Sequence, residues 1–421
     1  MEKFIIHGGK KLSGSVKVSG AKNSALVLMP ASLLNNGKNI FTNVPEVNDI
    51  FTMKKLLAHI GAATEFENNN LILDTSRITS QEAPYEHVKK MRASIYVLGP
   101  LLTKYGYAKV SLPGGCAWGP RPINLHLDAM KKFGAQLDLE EGYIIAKSKR
   151  LNGAKIIFDI SSVGATGNAL MAAVLAKGTT LISNAAIEPE VTLLAESLKK
   201  MGAKINGIGT KTIEIEGVDE LRPIECENID DRIEAGTLMI AAAMTKSKIE
   251  VKYRNINHLD ILYDKLKESG VNVAFSEDAV YVDAESTAVK PVDVATAVYP
   301  GFPTDLQAQW LAYMTLAEGN SQVTDRIYFD RFKHVPELRR LGAKINLIEN
   351  TAMVQGVTKL KGAKVMSTDL RASASLVLGG LAAEGKTEVL RIYHLDRGYE
   401  RIEEKLQTLN ADIVRVKTEE Y

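Results

Sequence analysis

The sequence is poor in cysteine, with two in 421 residues, Cys116 and Cys226. Two thiols cannot build a disulfide framework, so the chain reads as a protein of a reducing compartment, the cytoplasm. Its seven histidines are scattered, and neither HExxH nor CxxC spacing occurs, so no protein-held metal and no other cofactor is expected. No apolar run approaches the length of a membrane span, and MEKFIIHGGKKL has no apolar stretch of signal-peptide length. Net charge is only +2, which argues against nucleic acid bound by bulk electrostatics. GxGxxG and GxxxxGK[ST] are missing too, so any phosphate must be gripped another way.

What is present is repetition. A Gly-Ala pair after an amphipathic run recurs as LLAHIGA, AMKKFGA, SLKKMGA, KLKESGV, ELRRLGA and KLQTLNA, at a spacing of about 70 residues. Ahead of each pair, an apolar helical run ends at Gly37, Gly106, Gly178, Gly319 or Gly385, with Lys246 in the fourth copy. Short strands such as NIFTNV, AKVSL, TTLISN and TEVLRI separate the two runs, and a strand pair such as AKINGIGTKTIEI follows the second. Runs like NALMAAVLA and LMIAAAM are apolar on nearly all sides, which predicts buried helices. The second helices carry Lys and Glu on one face, which predicts half-exposed ones ending in left-handed caps. Six copies at this length divide into two lobes of three, with helices inside and strands outside.

Chemically distinctive residues recur at two places in the repeat. One is the head of the buried helix: Lys22 and Asn23, Arg92, Ser162 to Thr166, Arg232 and Glu234, Asp305, Arg371. The other is the loop after the following strand: Asn48, Cys116 with Arg121, Glu188, Arg331, Arg397. Helix N-termini favour anions, so two such faces meeting across a cleft would gather cations around a negatively charged ligand.

Each residue also has an ordinary reading. Cys116, in LPGGCAWGPR, is either a free thiol on a pliable loop or a group whose pKa and delivery the nearby glycines and Arg121 serve. Lys22 is either a surface lysine or an anion ligand. Asp305, after Thr304, resembles an N-cap. Arg371 and Arg397 have Asp369 and Asp396 beside them as possible partners. Cys226 reads as structural.

The stretches GAKNSAL, MRASIYVLGPLL, PGGCAWGPRPINLHL, SVGATGNALMAA, PGFPTDLQAQ, RFKHVPELRRLGA, DLRASASLVLGGLAA and YHLDRGYERIEEKL, in that order, resemble the enolpyruvyl transferase family nearly end to end. The resemblance implies an α/β fold of two inside-out α/β barrel domains, each of three βαβαββ repeats. It implies a first lobe at 22–229 carrying the cysteine loop, a second at 1–21 plus 230–421, and an active site in the cleft between them. The reaction implied is transfer of the enolpyruvyl group of phosphoenolpyruvate to the 3′-hydroxyl of UDP-N-acetylglucosamine, through a tetrahedral ketal, toward peptidoglycan. The partners implied are those two small molecules, without nucleic acid or membrane.

On the same resemblance, Cys116 is the proton donor and the expected target of fosfomycin, and Asp305 is the base or the orienter of the sugar hydroxyl. Lys22, Asn23, Arg121 and Arg397 hold phosphoenolpyruvate, and Lys22 and Arg397 count with Cys116 and Asp305 among the catalytic residues. Arg92, Arg121, Pro122, Ile123, Asn124, Leu125, Ser162, Val163, Gly164, Asp305 and Ile327 contact the nucleotide sugar, and Arg331 and Arg371 line the cleft. Asn124 stands where many members have Asp, and Ile160 and Ser161 where one subgroup has a lysine. Two other readings stand beside this one: a sibling enzyme acting on shikimate 3-phosphate, which begins its first buried helix after Ser-Lys-Ser and lacks such a cysteine loop, and a non-catalytic paralogue that only binds the nucleotide sugar.

Overall fold

The computed structural model describes residues 1–89, 91–112 and 123–419. They divide into two compact units, Gly20–Ile229 on the one hand and Met1–Ser19 with the residues from Asp230 onward on the other. The described residues form six four-stranded sheets, three per unit, and each sheet belongs to one βαβαββ repeat.

The third repeat shows the pattern. Lys155–Ile157 leads into the helix Val163–Ala173 and returns parallel as Thr179–Ser183. The helix Pro189–Lys200 follows, and then the hairpin Lys204–Asn206 and Thr212–Glu216, whose second strand pairs antiparallel with Thr179–Ser183. The helix Val163–Ala173 is buried from Ala165 onward, as its apolar sequence predicts, and the second helix buries one face.

Three repeats are completed by distant segments. Glu225–Glu227, at the end of one unit, pairs parallel with Lys38–Thr42 of its first repeat. In the other unit the N-terminal strand Glu2–His7 sits between Lys386–Leu390 and Asp412–Lys417, and the next strand, Ser13–Lys17, opens the following repeat beside Lys248–Lys252. Each unit is thereby closed on itself.

The turn chemistry repeats as well. The residue ending each pair of helical runs takes positive φ, including the two that are not glycine, Lys246 at 48° and Asn410 at 66°. At these positions the repeat's geometry overrides side-chain preference, and Asn tolerates it better than Lys. Cys226 lies buried in the strand Glu225–Glu227 with its Sγ 3.3 Å from Ser197 Oγ, in accord with a structural role. Among the described residues no helix is long and apolar enough to cross a membrane.

Candidate active site

In the unit Gly20–Ile229 the first buried helix, Lys22–Ala31, begins where the unit's two ends meet. Ala21 N–H donates to Ile229 O at 2.7 Å, and the Asn228 amide donates to Ala21 O at 2.9 Å and Asn43 O at 3.1 Å. A Cβ at Gly20 would stand 1.6 Å from Asn43 O, so only glycine permits this approach. Ala21 occupies the N-cap and has no side-chain oxygen to satisfy the first N–H groups. Lys22 is not a surface lysine. It is buried, and its Nζ lies 3.3 Å from Oδ2 of Asp49, itself buried on the helix Asn48–Ile60. Asn23 is half-buried.

Arg92 heads a 3-10 segment, Arg92–Val97, rather than the α-helix itself, which starts at Leu98. Asn168, fully buried on the helix Val163–Ala173, ties this region together. Its Oδ1 accepts Gly99 N–H at 3.0 Å, and its Nδ2 donates to Ile95 O at 3.0 Å and to His126 Nδ1 at 2.8 Å. Because the Asn168 amide nitrogen can only donate, His126 Nδ1 accepts and the ring proton of the neutral form sits on Nε2. Burial, and then the charge of Arg92, lower the His126 pKa to about 4, so the ring is neutral at pH 7. It packs against the helix head at Gly164, where an added Cβ would meet His126 Cε1 and Nε2 at 3.0 Å.

Ser162 is the N-cap there, accepting Ala165 N–H at 3.3 Å. Val163 and Ile160 are exposed, Asn124 is the exposed first residue of the helix Asn124–Lys132, and Ile123 and Leu125 pack partly against the core. Cys116, Arg121 and Pro122 lie outside the described residues.

In the other unit Asp305 is not a cap. It lies in the 3-10 turn Thr304–Leu306 that leads into the helix Gln307–Met314, and neither it nor Thr304 caps by its side chain. Its two oxygens are held by two buried arginines: Oδ1 by Arg331 Nη2 at 2.8 Å, and Oδ2 by Arg371 Nη2 at 2.9 Å. Arg371 does not turn to Asp369. That carboxylate caps the helix Leu370–Ala382 by accepting the N–H groups of Arg371 and Ala372, both at 2.9 Å. Burial opposes the Arg371 charge, yet Asp305 and other nearby groups raise its pKa above the ordinary guanidinium value. The guanidinium also lies 5.4 Å from the Tyr399 ring.

Asp396 pairs with Arg415 at 2.7 Å, and Arg397 stands close enough to His394 to help lower its pKa, after burial. Ile327 is partly exposed in a loop whose N–H groups bond to Asp325. Asp49, His126 and Asp325 escape the sequence reading, since acids near helix starts or after strands and a lone histidine carry no periodic signal. Among the described residues no group of three His, Cys, Asp or Glu side chains could hold a metal.

The family described as EPSP synthase (3-phosphoshikimate 1-carboxyvinyltransferase) matches residues 6–406. A UDP-N-acetylglucosamine 1-carboxyvinyltransferase from Chloroherpeton thalassium is 59% identical over 100% of this chain and 99% of its own. Another of that name, from Chlorobaculum parvum, is 55% identical over the whole of both. Among solved structures, the enolpyruvyl transferase NikO from Streptomyces tendae superposes with a TM-score of 0.90 at 26% identity, covering 98% of each chain. EPSP synthase from Acinetobacter baumannii shares the fold, with a TM-score of 0.75 at 17% identity over 99% of this chain and 100% of that one.

Proposed function

Because the chain belongs to the EPSP synthase family of enolpyruvyl transferases, we propose that it transfers the enolpyruvyl group of phosphoenolpyruvate to the 3′-hydroxyl of UDP-N-acetylglucosamine, releasing phosphate, as a first committed step of peptidoglycan synthesis. One observation carries the choice of acceptor: full-length identity of 59% and 55% to relatives named for that nucleotide sugar. The family's name mentions a phosphoshikimate acceptor, but the EPSP synthase structure matches at 17% identity, which speaks for the fold alone. Phosphoenolpyruvate is a cytoplasmic metabolite, so the reaction is assigned to the cytoplasm.

The chemistry adds the sugar oxygen to C2 of phosphoenolpyruvate while a proton reaches its methylene carbon, then expels phosphate as a proton leaves the new methyl group. Cys116 delivers the first proton; an ordinary thiol with a pKa near 8.5 is mostly protonated at neutral pH. Asp305 faces the sugar hydroxyl. Two guanidinium partners favour its charged form and make it a weak base, which suits a carboxylate that orients the hydroxyl and takes the proton only as the C–O bond forms. Lys22, Asn23, Arg121 and Arg397 bind the phosphate and carboxylate of phosphoenolpyruvate, for which cations and paired guanidinium donors are suited. Arg92, Arg121 to Leu125, Ser162 to Gly164 and Ile327 bind the nucleotide sugar.

The test is phosphate release from phosphoenolpyruvate with each acceptor in turn. Release with UDP-N-acetylglucosamine is expected; release with shikimate 3-phosphate alone, or with neither, refutes the proposal.

A further inference from the structure

A buried, heavily bonded carboxylate near Asp305 is used by no step above. Asp325 follows the strand Asn320–Thr324 and is fully buried. Its Oδ1 accepts the Thr296 hydroxyl at 2.8 Å and the N–H groups of Ile327 and Tyr328, both at 2.9 Å. Its Oδ2 accepts the Thr304 hydroxyl at 2.7 Å. The backbone of Asp325 is pinned as well, for its N–H and C=O both bond to Asn350 at 2.9 Å.

A hydroxyl has one proton, and that of Thr304 points at Asp325. The Thr304 lone pairs are then turned toward Arg331, whose Nη1 donates to Oγ1 at 2.8 Å. The other terminal nitrogen of Arg331 holds Asp305 Oδ1 at 2.8 Å. Tyr328, its backbone fixed by Asp325, sets its ring 5.3 Å from the Arg331 guanidinium carbon. One buried carboxylate therefore governs two things: the orientation of the guanidinium on Asp305, and the path of the loop that displays Ile327.

We propose that Asp325 and Thr304 form a positioning bracket that sets the Arg331–Asp305 pair and the Ile327 loop in a fixed relation, so that the hydroxyl-facing carboxylate and a nucleotide contact keep one register. The proposal rests on the roles given above to Asp305 and Ile327. In this bracket Thr304 acts through Arg331, and Asp325 acts through both arms.

Thr304→Val keeps the shape and removes both hydrogen bonds. With Arg331 released on one side, kcat should fall on the order of 10²-fold, as misplacement of a reacting group by about 1 Å does, while KM for UDP-N-acetylglucosamine stays within about threefold. Thr304→Ser, which restores the hydroxyl, should return kcat to within about threefold of wild type, a rescue that lost packing alone would not give. Asp325→Ala, which removes both acceptor oxygens and so both arms, should lower kcat and also raise KM for the nucleotide sugar. Should the valine protein not fold, Thr304→Ala is read for the same split. A wild-type kcat in the valine or alanine protein, or a serine protein as impaired as the valine one, overturns the bracket.

A second readout needs no turnover. A crystal structure of the valine or alanine protein should show the Arg331 side chain displaced from Asp305, and an unmoved pair overturns the proposal. Failure of the wild-type protein to release phosphate with UDP-N-acetylglucosamine strikes instead at the assigned reaction.

Discussion

The Lys22 ammonium lies 3.3 Å from the Asp49 carboxylate, and both side chains are nearly out of contact with water. Each limits the cost of burying the other, so the pair should be energetically coupled. Lys22→Met and Asp49→Leu, singly and together, form a cycle. The double variant should be more stable than the sum of the single losses predicts, by about 1–3 kcal/mol. Denaturant unfolding measures this, and strict additivity would show that the pair carries no coupling. Lys22→Met should also raise KM for phosphoenolpyruvate.

Arg371→Lys keeps the charge but loses the planar fork. Lysine cannot both reach Asp305 Oδ2 and place a planar cation over the Tyr399 ring, as arginine does. The expected result is a fall in kcat on the order of 10²-fold with the charge balance intact. Steady-state kinetics at saturating substrates check it, and a lysine protein at full rate would show that charge alone suffices.

Acid should weaken the fold through two buried histidines. Burial lowers the pKa of His126 and of His334 from 6.5 to about 4, with Arg331 lowering and Asp369 raising that of His334. The unfolded chain takes up these protons below about pH 6.5 and the folded chain only near pH 4, so in between the unfolded state binds more protons. Stability then falls as pH drops through that window, by at most about 1.4 kcal/mol per pH unit per histidine. In His334→Gln one contribution is absent, and the decline of Tm between pH 6.5 and 4.5 should be shallower by calorimetry. An equally steep decline would remove His334 from the account.

Gly164→Ala places a methyl group 3.0 Å from the His126 ring, which the Asn168 bond keeps from yielding. Overpacking of about 1–3 kcal/mol should appear as a lower Tm. Because Gly164 belongs to the proposed nucleotide stretch, KM for UDP-N-acetylglucosamine should rise roughly tenfold, as about 1.4 kcal/mol of lost binding would give. KM for phosphoenolpyruvate should hold within about twofold, on the same tenfold-per-1.4 kcal/mol scale. Equal rises for both substrates would contradict the local reading.

Cys116→Ser should nearly abolish turnover, since a serine hydroxyl is a far poorer acid than a thiol, whereas Cys116→Asp should keep activity and escape fosfomycin. Wild-type turnover in the serine protein would deny the thiol its role as proton donor.

The sequence by itself determined the repeat, the burial of its first helices, the strand pairs and the turns. These follow from the hydrophobic period and the local backbone chemistry of each segment, whereas the left-handed turns at Lys246 and Asn410, which lack glycine, are imposed by the geometry of the repeat. It also marked Lys22, Asp305 and Arg371 by their shared place in the repeat. What it left open was their partners. Asp305 resembled a helix cap, and Arg371 had Asp369 two positions away, yet the bond that formed joins residues 66 positions apart while Asp369 caps the helix instead. Only tertiary structure decided this, as it decided Asp49 for Lys22, Asp325 for Thr304 and Asn168 for His126. A buried charge or hydrogen-bonding group takes whichever partner packing brings within about 3 Å, and that geometry depends on how separate helices and loops lie together in space, which no local pattern encodes.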